Sequence, residues 1–253
     1  LGAEKALHIK TNASGLAPDC IVVNVTVRSM KMHGLGMVGL PNGKDALDEE
    51  NVEMVRHGAS ANLSRHIENM SRFGPDVIVS INRFPTDSDG EISAIMEIAK
   101  DAGAADVALY EGHSKGGDGA VELANAVSKA VQRHMAAGRP FNPLFEGNAP
   151  VIEKIENIAK SIYGASGISI KPRAKKQLDK INEWGYGNLP VCMAKTQYSF
   201  SHDPAQYGAP TDFTLPVREF RLNAGAGFIV AVCGDMMTMP GLPKIPAAEG
   251  MDM

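Results

Sequence analysis

The sequence predicts an α/β protein, with a parallel-sheet βαβ domain over 1–140 and a smaller mixed α/β domain over 141–253. Three observations carry this. Apolar, largely β-branched runs at Cys20–Val27 and Val77–Ile81 have almost no polar alternation, the pattern of strands covered on both faces, and Asp106–Tyr110 reads as a third strand. Segments with apolar residues at three- and four-residue steps follow each of them, so strand and helix alternate three times and right-handed crossovers are expected. Gly138-Arg-Pro-Phe-Asn-Pro143 and Gly147-Asn-Ala-Pro150 then break the alternation and mark the boundary.

Cys20–Val27 reads as the first strand, buried on both faces, and Arg28–His33 leads into a glycine-rich loop. Val52, Val55, Ala59, Leu63, Ile67 and Met70 define a helix over Glu49–Arg72, stopped by Gly74-Pro75. The strand at 77–81 ends at Asn82-Arg83-Phe84-Pro85, where Pro85 holds Phe84 extended and Asp87 or Asp89 is placed to cap the helix over 91–102. After Asp106–Tyr110, a helix over 119–137 carries Val121, Ala124, Val127, Val131 and Met135 on one stripe. Beyond the boundary, Ile152, Ile155, Ile158, Ala159 and Ile162 mark one helix, and Ala174, Leu178, Ile181 and Trp184 another. Leu189–Ala194, Thr214–Leu222 and Gly227–Cys233 read as strands, and Met239–Pro246 as an ordered irregular tail.

At 253 residues, 44% hydrophobic and 21% charged, with a net charge of −4, the chain carries no nucleic-acid tract and no polybasic membrane patch. No apolar stretch has spanning length and no signal-peptide pattern opens the chain. Cys20, Cys192 and Cys233 are widely spaced in apolar runs, which fits reduced thiols in a cytoplasmic protein, and no metal-ligand spacing links them. Because the chain begins at Leu1 without an initiator Met, it is expected to be a piece of a larger polypeptide.

Several motifs fail on context. Gly34-Leu-Gly36-Met-Val-Gly39 matches the dinucleotide fingerprint in letters only, since Arg28–His33 separate it from the strand and Pro41 follows it, so a mobile loop is expected. Gly225-Ala-Gly227 lacks the third glycine and reads as tight backbone packing. Gly39–Asp45 has neither the spacing nor the Ser/Thr of a Walker A loop. His202-Asp203 reads as a solvated turn. No zinc-protease or serine-hydrolase motif occurs.

Two loops remain. Phe84-Pro85 stands at the sheet's carboxyl edge, where ligands of open α/β sheets bind, and it is either a platform for a flat ring or an aromatic tucked under its own loop. Gly112-His113-Ser-Lys115-Gly116-Gly117-Asp118-Gly119 follows the third strand and opens a helix. Its N–H groups and Lys115 suit an anion, the alternative being an ordinary strand-to-helix turn.

Val25–His33, Arg65–Asn69, Ile81-Asn-Arg-Phe-Pro-Thr-Asp87, Lys115-Gly-Gly-Asp-Gly119, Gly185–Tyr198 and Met237–Lys244 together resemble formate–tetrahydrofolate ligase, colinearly over essentially the whole chain. The resemblance implies a ligase that converts formate and MgATP to formyl phosphate, which tetrahydrofolate captures as 10-formyltetrahydrofolate. It also implies activation by potassium or ammonium, a homotetramer and a cytoplasmic location. The chain resembles the carboxyl-side portion, with the P-loop domain and the catalytic groups upstream. Phe84 and Pro85 match one wall of the family's pterin slot. His113 stands where the family usually has Trp, a departure that exchanges indole for a smaller ring able to gain charge near neutral pH. Lys115, Gly116 and Gly117 are expected loop or anion contacts, and the region of Thr196, Pro210 and Phe213 is expected to line the adenine end of the nucleotide site. No metal ligands are expected. A non-catalytic folate-binding or subunit-assembly module is the alternative.

Overall fold

The computed structural model describes residues 2–34, 47–235 and 249. The expected loop after Gly34, the Walker-like stretch 39–45, the tail 239–246 and the Met237–Lys244 motif lie outside them. The α/β class holds. Strands β1 (Cys20–Val25), β2 (Asp76–Asn82) and β3 (Asp106–Tyr110) form a parallel sheet in the order β1-β2-β3. β2 is its centre and is buried from Val77 to Ile81, as a β-branched run interrupted only by Ser80 should be.

β1 departs from expectation. It ends at Val25, and Val27 opens a helix, Val27–Gly34. Thr26 and Ser29 cap that helix reciprocally: the Ser29 N–H donates to Thr26 Oγ1 (3.1 Å) and the Thr26 N–H to Ser29 Oγ (3.3 Å). Nor is β1 covered on both faces. It is an edge strand of the described sheet, with Val22 exposed.

The long helix before β2 runs as Val52–Gly58, a π-helical turn at Ala59–Leu63, and Ser64–Ser71. Asn51 caps it, its Oδ1 accepting the Met54 N–H at 2.9 Å. Two glycines set its crossing with helix Val27–Gly34: a Cβ at Gly58 would lie 1.9 Å from Met30 O, and one at Gly34 would lie 2.0 Å from Met54 O. Only backbone fits between these helices.

Helix Asp89–Asp101 is capped by Ser88, not by Asp87 or Asp89. Ser88 Oγ accepts the Glu91 N–H and the Glu91 carboxylate returns to the Ser88 N–H, the reciprocal box that Ser-x-x-Glu encodes. The helix expected over 119–137 begins later, at Val121, after one turn at Gly112–Lys115 and a 3₁₀ turn at Gly116–Ala120. Its buried side is Ala126, Ala130 and His134, while Val121 and Met135 face solvent. Small side chains let it lie close on Ile78 and Ala108 of the sheet, and that proximity, not bulk, selects the inward face.

The carboxyl half adds helices Val151–Ser161 and Pro172–Glu183. Trp184 ends the second exposed instead of joining its apolar face. β5 (Val191–Ala194) starts just after Pro190. The expected strand Thr214–Leu222 is two strands: β6 (Thr214–Val217) pairs with β4 (Gly167–Ile170), which was not anticipated, and β7 (Glu219–Asn223) pairs with β8 (Phe228–Val232). Arg218 is the pivot between sheets. Gly225 and Gly227 do not pack tightly, since nothing lies within 4 Å of a Cβ built on either; Gly227, at φ 72°, closes the β7–β8 hairpin. The main cluster of buried apolar side chains draws on both halves, from Leu7 to Cys233. All three cysteines are free thiols. Among the described residues, no helix is long and apolar enough to cross a membrane.

Candidate functional site

The parallel register pairs Asn82 with Tyr110, so β2 and β3 end side by side at the carboxyl edge of the sheet. The Arg83 N–H extends the ladder by one bond to Tyr110 O (3.0 Å). Beyond it the two chains diverge into loops. Between them opens a cleft of about 620 Å³ lined by Asn82, Arg83, Phe84, Pro85, Glu111, His113 and Ser114.

The first loop is braced from below. The Phe84 N–H donates to the Asp87 carboxylate (2.8 Å), and the Asp87 N–H donates back to Phe84 O (3.0 Å). Burial pushes the Asp87 carboxyl up, and the bond from the Phe84 N–H opposes that. The Phe84 backbone is therefore held in place while the residue remains 45% exposed, against the reading that it tucks under its own loop. The Arg83 guanidinium is tied to Asp89 at 2.9 Å.

The second loop closes on Glu111, whose O accepts the N–H groups of Ser114 (3.1 Å) and Lys115 (2.9 Å). The Lys115 ammonium lies 2.5 Å from the Glu111 carboxylate, so its charge is paired within the loop. Gly116 and Gly117 are exposed, with open space around both. His113 is exposed on this loop and lines the same cleft as Phe84 and Pro85.

Sequence reasoning thus located Phe84, Pro85 and His113, and the fold brings these three into one cleft. It missed Asn82, Arg83, Glu111 and Ser114, whose signal was only that they flank the named residues. Thr196 and Phe213 lie elsewhere, at 2% and 8% exposure, with Pro210 half-buried. His202-Asp203 sits in a turn where Asp203 accepts the Ala205 N–H at 2.9 Å. Among the described residues, no group of three or more His, Cys, Asp or Glu is placed to hold a metal ion.

The family model described as formate--tetrahydrofolate ligase matches residues 1–253. The chain belongs to the formate–tetrahydrofolate ligase family. It is similar to the formate–tetrahydrofolate ligase of Ruegeria sp. (strain TM1040), 49% identical over 251 residues that make up 99% of this chain and 43% of that relative. The ligase of Maricaulis maris (strain MCS10) is 49% identical over 248 residues, 98% of this chain and 43% of the relative. The chain spans about two fifths of the length of these curated ligases, and the match agrees with the colinear motifs read from the sequence.

Proposed function

We propose that this chain supplies the tetrahydrofolate-binding part of an ATP-dependent formate–tetrahydrofolate ligase. The observation that carries the reading is the cleft itself, lined by an aromatic-proline pair on one loop and an imidazole on the other, in a chain matched by the ligase family from end to end. A flat ring entering there meets a ring face on each side, and stacking with apolar contact holds it while one edge stays open.

In the proposed reaction a formate oxygen attacks the γ-phosphorus of ATP, giving formyl phosphate and ADP. N10 of tetrahydrofolate then attacks the formyl carbon, the C–O bond to phosphate breaks with its electron pair, and the N10 proton is lost to solvent. This chain's part is to hold the pterin so that N10 projects toward the formyl donor, which is an entropic contribution. Its 253 residues contain no Walker A loop, so the phosphates of ATP would be held by other parts of the polypeptide. Magnesium would enter with the nucleotide. Potassium or ammonium activation, assembly as a homotetramer, a cytoplasmic setting and an adenine site near Thr196, Pro210 and Phe213 rest on the family resemblance alone.

Two measurements test this. The 253-residue chain mixed with MgATP, formate and tetrahydrofolate is expected to show no formylation above background; turnover would mean that the phosphate-handling groups lie within it. His113→Trp is expected to tighten tetrahydrofolate binding by about two- to tenfold, since aromatic pairs contribute roughly 0.5–1.5 kcal/mol beyond area burial. Equal affinities in a fluorescence titration would remove His113 from the wall, and no binding by either protein would favour the alternative, a subunit-assembly module.

A further inference from the structure

We infer that Glu111 and Asn82 form the floor of the cleft and read the pyrimidine edge of the pterin, with the Glu111 carboxylate accepting from N3–H and the 2-amino group and the Asn82 carboxamide donating to O4. The inference rests on the proposed folate site and adds the residues that determine its specificity.

The placement comes from the sheet. Asn82 ends β2 opposite Tyr110, Glu111 is the next residue along, and both line the cleft together with Phe84, Pro85 and His113. The loops themselves are braced through Arg83–Asp89, Phe84–Asp87 and Glu111–Lys115, and the Asn82 carboxamide takes no part in those bonds. Glu111 Oε2 accepts from Lys115 and keeps a second lone pair, and Oε1 takes no part in the loop's bonds, so each oxygen can still accept one donor.

The ligand's chemistry fixes which edge meets that floor. N10 and the aminobenzoyl-glutamate tail hang from C6, at the far end of the pterin from the pyrimidine ring. N10 must stay open to the formyl donor, so the pyrimidine end enters first. It presents the 2-amino group and N3–H as two parallel donors beside the acceptor O4. A carboxylate is the side chain that takes two parallel donors, and a carboxamide supplies the neighbouring donor. Pairing with Lys115 means that the carboxylate is already charge-compensated when the ring arrives. An analogue without the amine leaves one carboxylate lone pair without its donor beneath the stacked ring, which is how a polar site rejects a near-isostere.

The test is a set of fluorescence titrations of the chain with tetrahydrofolate and with its 2-desamino analogue. Wild type is expected to favour tetrahydrofolate by at least about tenfold. Glu111→Gln should abolish that preference by weakening tetrahydrofolate alone, whereas Phe84→Ala should weaken both ligands and keep the preference. A purely structural role for Glu111 would weaken both ligands equally, and an unchanged ratio in Glu111→Gln overturns the inference. If wild type binds neither ligand, or if Phe84→Ala changes nothing, the folate reading of the cleft falls and this inference with it. Loss of binding to Phe84→Ala beside an unaltered ratio in Glu111→Gln sinks only the edge-reading role.

Discussion

Glu91→Ala is expected to lower the unfolding free energy by about 3–5 kcal/mol, the usual penalty for removing one partner of a buried ion pair. Glu91 is fully buried, 2.7 Å from the Lys31 ammonium, which is itself only 2% exposed. Lys31 also donates to Leu47 O (3.0 Å) and Glu49 O (2.7 Å), and Glu91 accepts the N–H groups of Asn51 (2.7 Å) and Ser88 (3.2 Å). Burial alone would raise the Glu91 carboxyl; the hydrogen bonds from Lys31, Asn51 and Ser88 outweigh it and hold the group below its usual range. Truncation strands a cation in the interior and frees two backbone donors at once. Since Ser88 caps the helix that follows the Phe84 loop, the loop should loosen too. Urea unfolding of both proteins should show a lower midpoint at unchanged slope, and a loss under about 1 kcal/mol would mean that water reaches Lys31 and solvates it.

The cleft walls were legible because they depend on local signals. A β-branched run announces β2 and a short apolar run β3, a proline fixes the chain just past the first of them, and consecutive parallel strands bring their carboxyl-end loops together. The Lys31–Glu91 pair was not legible, because nothing near Lys31 in sequence indicates a carboxylate sixty residues away. Glu91 did leave a mark in Ser88-x-x-Glu91, but the neighbouring Asp87 and Asp89 offered equally good caps. Asp87 was instead taken by the Phe84 N–H, a contact that exists only once the turn has formed. The stripe at Val121–Met135 misled because apolar periodicity measures bulk, whereas the residues of this helix buried against Ile78 and Ala108 are the alanines Ala126 and Ala130, with Leu123 packed beside them. The division of Thr214–Asn223 at Arg218 is invisible for a similar reason: both halves favour strand, and only their partners, β4 and β8, differ.

The other large effect concerns Lys195 and pH. Its ammonium is buried, donates to Thr196 O (3.1 Å) and Ser199 O, and lies 4.8 Å from the centre of the Tyr163 ring. Glu4, Lys5 and Cys233 are the charged and titratable groups acting on it, and Tyr163 donates its O–H to Glu4 at 2.6 Å. Burial dominates and lowers the Lys195 ammonium from 10.5 to about 7. Below about pH 7 the folded and unfolded chains both hold the proton, and the whole burial penalty stands. Between about 7 and 10.5 the unfolded chain binds more protons than the folded one, so stability rises with pH by at most about 1.4 kcal/mol per unit. The Cys233 thiol works in the opposite direction at higher pH: burial raises it from 9.0 to about 12, so the unfolded chain ionises first. The clean interval is therefore about pH 7 to 8.5, over which wild type should gain about 1–2 kcal/mol relative to Lys195→Met. Urea midpoints of the two proteins across that interval decide it. Parallel profiles would show that the two carbonyl oxygens and the Tyr163 ring keep the ammonium charged in the folded chain, against its desolvation.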